Sequence, residues 1–192
     1  MRKIILPIIA ILTMVSCNND DSSSNSSCNS TIPFLQEGKI LEYNIYQFGI
    51  HTGTLKYEIG SCNGDGFIVN RNSYQTNGTI YSSGTDLWKQ DGDFLVTDSN
   101  NNGDYFSKIY KKGAQLGDSW TFTRPTDDAV ITHEVVDMDS IITVPAGTFH
   151  CKVFKYTNTA NINDSHIFWD DQIGNIMEDA DGFFKIELKS HN

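Results

Sequence analysis

An antiparallel all-β meander, closed as a barrel, half-barrel or sandwich, is the fold class this sequence predicts. Three observations carry that reading. From residue 38 onward apolar and polar residues alternate with period two; the alternating runs are rich in Tyr, Phe, Val, Ile and Thr; and Asn-Gly or Asp-Gly pairs punctuate them. Such alternation turns one face of a strand to a core and the other to water. Branched and aromatic side chains suit a pleated surface, and Asn-Gly and Asp-Gly supply the positive φ angles of tight hairpin turns. No window shows an amphipathic helix with caps.

Taken in order, residues 39–48 place Leu41, Tyr43 and Ile45 opposite Glu42 and Asn44. Residues 54–59 place Leu55, Tyr57 and Ile59 opposite Thr54, Lys56 and Glu58. Further strands are expected over 67–74, 79–88, 105–110, 119–123, 130–136, 148–157, 165–169 and 183–188. Turns are expected at Asn63-Gly64, Asn77-Gly78, Asp91-Gly92-Asp93, Asn102-Gly103 and Asp181-Gly182. The inward sets are bulky: to those above are added Trp120 and Phe122, Phe149 and Val153, and Phe184, Ile186 and Leu188. Side chains of that size can fill a small barrel, so a packed interior with no tightly held lipid is expected. Residues 32–192 make one domain with a sizeable core.

Ahead of that domain, Arg2 and Lys3 precede an apolar run over residues 4–13, followed by Met14-Val15-Ser16-Cys17. A basic start, a short apolar stretch and a small residue before a cut describe a secretory signal over residues 1–16. The run is shorter than the ~20 residues that span a bilayer. Val15, Ser16 and Cys17 resemble a lipobox, with Met14 where Leu is usual. The resemblance implies cleavage before Cys17, lipid on its thiol and attachment to a membrane through that lipid. Residues 17–31 then form the lipidated cysteine and a Ser/Asn/Asp tether that cannot bury enough apolar surface to fold. Asp20-Asp21 resembles the surface-export signal of Bacteroidota lipoproteins, and Asn18 occupies the position where Asp retains proteobacterial lipoproteins at the inner membrane. The outer membrane, with the domain facing the exterior, is the expected location.

Removal of Arg2 and Lys3 leaves twelve basic residues against twenty-four acidic, a net charge of −12. Nucleic acid, which demands a basic face, is excluded as a partner. Three cysteines remain after lipidation. Cys28 ends the tether, Cys62 lies in the Gly60–Gly64 turn region, and Cys151 sits mid-strand in phase with Phe149 and Val153. A Cys28–Cys62 disulfide is expected in an oxidising compartment, with Cys151 a small buried apolar group.

Residues 142–149, Ile-Thr-Val-Pro-Ala-Gly-Thr-Phe, resemble the Val-Pro-Ala-Gly-Thr-Phe signature of β-rich secreted proteins that include TapB-like ones. Gly117-Asp118-Ser119-Trp120-Thr121-Phe122 matches a Gly-x-x-Trp strand common in them, and Gly38-Lys39-Ile40-Leu41-Glu42-Tyr43 echoes it with Leu41 in place of Trp. Residues 168–174, Phe-Trp-Asp-Asp-Gln-Ile-Gly, fit their terminal hairpin. The resemblance implies an antiparallel barrel-like fold and carries no established activity. Physically the signature is a turn, with Pro145 fixing φ and Gly147 permitting reversal.

Chemical motifs are few. Asp98-Ser99-Asn100-Asn101-Asn102-Gly103 matches the first half of a calcium loop, but Ile109 stands where a closing Glu is needed, so a hairpin loop without metal is expected. His51, His133, His150, His166 and His191 lack zinc-site spacing, and no Gly-x-Ser-x-Gly elbow accompanies them. No cofactor and no catalytic residue are assigned. Trp88 and Trp169 read first as core residues; with Lys89 and Asp170 beside them, the alternative is a rim where a glycan or protein partner docks. Asp139-Ser140-Ile141 resembles the O-glycosylation site of exported Bacteroidota proteins, which makes Ser140 a candidate. The chain reads as a lipid-anchored, non-enzymatic binding or structural module. Its rivals are a carrier holding a hydrophobic ligand in a barrel cavity and a hydrolase with an unrecognised site. Cys17→Ser should abolish lipidation and remove the protein from the membrane fraction; normal cleavage and retention of that variant would disprove the anchor.

Overall fold

The computed structural model describes residues 28–160 and 164–192. The leader, Cys17 and the tether up to residue 27 lie outside the described residues. Alternation becomes twelve strands: β1 (Ile40–Gln47), β2 (Ile50–Cys62), β3 (Phe67–Gln75), β4 (Ile80–Asp91), β5 (Phe94–Asp98), β6 (Ser107–Lys111), β7 (Ser119–Arg124), β8 (Ala129–Val144), β9 (Gly147–Asn158), β10 (Ser165–Asp170), β11 (Gly174–Ala180) and β12 (Phe184–His191). All ten expected strands form, and Cys62 is the last residue of β2 rather than part of a loop. The five expected turns fall between strands, and Gly64, Gly78, Gly92, Gly103 and Gly182 each have positive φ.

β5 and β11 were not expected. β5 has no alternation to see, because Leu95, Val96, Thr97 and Asp98 are all buried. In β11 a glycine and two acidic residues interrupt the apolar pattern.

Consecutive strands other than β6 and β7 pair antiparallel, and β1 also pairs with β12, giving the order β6-β5-β4-β3-β2-β1-β12-β11-β10-β9-β8-β7. The result is an up-and-down barrel, closed everywhere except between β6 and β7. Side chains bridge that seam. Trp120 Nε1–H donates to the Lys108 carbonyl at 2.9 Å, Phe94 packs edge-on to Trp120, and Lys111 pairs with Asp118 at 2.8 Å.

In a meander the connections alternate between the two ends. One end carries the start of β1, the end of β12 and the β2–β3, β4–β5, β6–β7, β8–β9 and β10–β11 turns. It is closed by residues ahead of β1: Ile32, Phe34 and Leu35 are each 1% exposed and join a central cluster with Phe154, Trp120 and Trp169. Phe34 stacks on Trp169 and meets Tyr110 edge-on. Cys28 is bonded to Cys62 there.

The long β8–β9 hairpin bends at irregular pairing between Val135 and Ser140. Its tip crosses to β12, where Ala146 N–H donates to the Leu188 carbonyl at 3.1 Å. Pro145-Ala146 is its two-residue loop, flanked by the Val144–Gly147 pair. A second apolar cluster forms around Val144, Cys151, Ile176 and Leu188. Phe149 packs against this cluster, while Phe154 and Tyr156, one residue out of phase, face the central one. Val153, in phase with Phe149, is 5% exposed, so β9 buries residues of both phases.

Cys151 is fully buried and is the free cysteine of the described residues; burial pushes its thiol up to about 12. Removing the Cys28–Cys62 bond by Cys28→Ala should cost ~2–4 kcal/mol, read by denaturant unfolding, with Cys151 resistant to thiol reagents until the barrel unfolds.

Candidate functional site

Twelve strands enclose more volume than their inward side chains fill. A cavity of about 720 Å³ occupies the barrel, so the expectation of a packed interior is overturned. Its floor is apolar: Phe34, Leu41, Ile109 and Ile167. Its mouth lies at the end opposite the start of β1, between the β5–β6 loop, represented by Ser99, Asn100, Asn102 and Asp104, and the β7–β8 turn, represented by Arg124, Pro125 and Thr126. Beside the mouth, Phe48, Ile50, Ile80, Tyr81 and Phe183 are exposed at the tips of three neighbouring hairpins, with Phe48 and Phe183 in ring contact.

Trp88 and Trp169 do not stand at a rim. They are 8% and 4% exposed and both line the cavity. Their charged neighbours Lys89 and Asp170 point the other way because successive strand residues alternate faces. Ser140 sits in the bent part of β8, half-buried, and donates to Asp137 Oδ2 at 2.8 Å. The loop from Asp98 to Gly103 folds onto a carboxylate: Gly103 N–H donates to Asp98 Oδ2 at 2.7 Å. Among the described residues no three His, Cys, Asp or Glu side chains converge as a metal-binding group. Of the pair Asp170-Asp171, the first accepts N–H bonds from Gln172 and Ile173, and the second accepts from Tyr110 and Lys152. Both carboxylates stabilise structure at a turn.

Polar side chains form a belt inside the barrel that sequence reasoning missed. Strand register places His133 beside Tyr156 and Tyr156 beside Ser165; Ser165 Oγ donates to Glu178 Oε1 at 3.4 Å. Another wall carries Tyr57 beside Arg71, and Arg71 Nε donates to Asp86 Oδ2 at 3.3 Å. Gly84 makes room for that guanidinium, since a Cβ there would stand 3.1 Å from Arg71 Nη2. Burial raises the Tyr57 hydroxyl far above its usual range, and the Asp86 charge adds to the effect. Burial also raises the Glu178 carboxyl. The signal that could have found the belt is a polar residue at the inward phase of an otherwise apolar strand, as with Glu178, Asp86 and His133.

Among the described residues, several buried polar groups have no hydrogen-bond partner. Neither ring nitrogen of His133 is hydrogen-bonded, nor are Trp169 Nε1 and Asn175 Oδ1, and all three residues line the cavity. A buried polar atom left unpaired costs ~1–3 kcal/mol, so such a set makes the cavity a candidate place for a ligand or ordered water. His133 stacks on Trp120 and Phe122 and meets Tyr156 edge-on. No hydroxyl is hydrogen-bonded to it, so the relay that activates a serine nucleophile is not assembled at this histidine.

No protein-family model matches the chain, and no curated protein sequence does. Two crystal structures share its fold. One is a protein assigned as exported, with a YmcC-like fold, from Bacteroides fragilis NCTC 9343: 15% identity, TM-score 0.59, covering 82% of this chain and 96% of that one. The other is a protein assigned as a lipoprotein from Parabacteroides distasonis ATCC 8503: 14% identity, TM-score 0.52, with the same coverage of both chains. The chain is thus similar in fold to two envelope-type proteins of Bacteroidales.

Burial alone drives the His133 imidazole down to about 4. The unfolded chain, with an ordinary histidine, binds a proton that the folded one refuses between pH 6.5 and 4. Stability must therefore fall with acidification through that window, by up to about 3 kcal/mol from this group. The raised Glu178 carboxyl acts in the opposite sense, since its contribution is present at low pH and lost as pH rises through its folded value. His133→Phe should remove the first effect alone, so its stability relative to the parent should improve from pH 7 to pH 4.5 in parallel denaturation curves.

Proposed function

We propose that this protein is a lipid-anchored, non-enzymatic lipoprotein of the outer membrane, facing the exterior, whose barrel binds a small molecule in its interior. The reading rests above all on the unpartnered polar atoms of His133, Trp169 and Asn175 around a cavity of about 720 Å³. Binding pockets of a few hundred to a thousand Å³, mostly apolar with a few placed polar groups, are the usual form of small-molecule sites. Of the two rivals considered from sequence, the carrier is therefore preferred over the hydrolase. The lipobox at Cys17, the acidic pair Asp20-Asp21 and the Val-Pro-Ala-Gly-Thr-Phe signature support export and surface display. The two Bacteroidales structures support the same kind of envelope setting. Ser140 remains a glycosylation candidate, and a glycan or protein partner would meet the outer surface rather than the tryptophans.

Native mass spectrometry of the full lipoprotein purified from its own membranes tests this reading. A stoichiometric small-molecule adduct, released on gentle activation, is expected. Ile109→Trp, which fills the cavity floor, should remove the adduct while the melting transition persists. A parent protein that carries no adduct, or an adduct untouched by filling the cavity, would overturn the reading.

A further inference from the structure

The lining of the cavity narrows the class of ligand, an inference that rests on the binding reading above. Four carboxyl side chains border the cavity, Asp86, Asp98, Asp104 and Glu178, against one guanidinium, that of Arg124. Arg124 is already held by Asp127 through bonds of 2.8 and 2.6 Å. Asp86 is matched by Arg71 and by the Asn100 N–H, and Asp98 by the Gly103 N–H. Glu178 differs. Its side chain has one hydrogen bond, at 3.4 Å from the Ser165 hydroxyl, and none of the ion pairs among the described residues includes it.

Aromatic side chains line the same cavity as Glu178. Tyr57 senses its charge, and Tyr43, Trp88, Tyr156 and Trp169 line the same space. Tyr43 is in edge contact with Tyr57, which in turn packs on Trp88. Ring faces attract a cation through their quadrupole, most strongly where water is excluded. The unpartnered His133 and Trp169, 1% and 4% exposed, point independently to a ligand in this interior. A fatty acid would add another negative charge among carboxylates, which a low-dielectric site resists.

We propose that the cavity takes a small organic cation, an amine on an aromatic or alicyclic body, with the Glu178 carboxylate receiving the ammonium and the Tyr57–Trp88–Trp169 wall receiving the body. Trp169 Nε1–H and Asn175 Oδ1, register partners on β10 and β11, are placed to bond a polar substituent on that body.

The test is calorimetric titration of the full lipoprotein, in a neutral maltoside detergent, with three probes of one shape: 2-(2-naphthyl)ethylamine, 2-(2-naphthyl)ethanol and 2-naphthylacetate. The amine should bind about tenfold or more tightly than the alcohol, as loss of a charge-assisted bond requires, and the carboxylate most weakly. Glu178→Gln should erase the advantage of the amine over the alcohol. Alcohol or carboxylate binding as tightly as the amine, or an amine advantage that survives Glu178→Gln, would overturn the cation assignment and leave the binding reading standing. Absence of binding by all three would overturn the cation assignment as well, while the adduct experiment decides the binding reading separately. Should Glu178→Gln fail to fold, the order of the three probes on the parent protein decides the matter alone.

Discussion

The width of a twelve-stranded barrel is the constraint on which everything else in this protein depends. Barrel diameter grows with strand number, and at about eight strands the inward side chains just meet. With twelve, even residues as large as Tyr43, Tyr57, Trp88 and Trp169 leave the centre unfilled. An open tube of that width would expose its apolar wall at both ends. This chain closes one end from two directions, with Phe34 and its neighbours ahead of β1 and with the tip of the β8–β9 hairpin against Leu188. The tube becomes a cup, and the loops after β5 and β7 become its lip.

The fold was legible wherever one face of a strand meets water. β1, β2 and β8 announce themselves by alternation, and each Asn-Gly or Asp-Gly pair marks a reversal. β5 was illegible because no face of Leu95–Asp98 reaches solvent. The cavity was illegible for a different reason. Bulky inward residues are needed both to fill an eight-stranded barrel and to wall a twelve-stranded one, so side-chain size says nothing about whether they meet. The rim alternative for Trp88 and Trp169 fails because a charge next to a tryptophan in sequence reads as exposure, whereas in a strand it lies through the sheet. Glu178 and His133 left only a trace, a polar residue at an inward phase, which a single sequence cannot distinguish from an irregularity of register.

Polar groups inside the barrel divide into those the protein completes and those it leaves open. Arg71 and Asp86 satisfy one another beside Gly84, and Tyr110 and Lys152 satisfy Asp171 below the floor. His133, Trp169 and Asn175 are left open. All three open residues line the cavity, which fits a preorganised binding site better than a poorly packed core.

The two halves of the barrel open in the same way. Gly38 and Gly117 both have positive φ; Gly38 N–H donates to the Ile59 carbonyl and Gly117 N–H to that of Val135. The reciprocal bonds also match, from Ile59 N–H to the Lys39 carbonyl and from Val135 N–H to that of Asp118. Within each half every pairing is between strands adjacent in sequence, so each six-stranded meander can assemble from local contacts. The halves join through the seam and through the ladder of β1 with β12, which pairs Tyr43 with Leu188 across most of the described chain. Contacts so distant in sequence are slow to form, because loop closure precedes any gain from pairing. Folding kinetics should therefore show two meanders forming early and their mutual closure limiting the rate, so that the cup acquires its interior only in the final step.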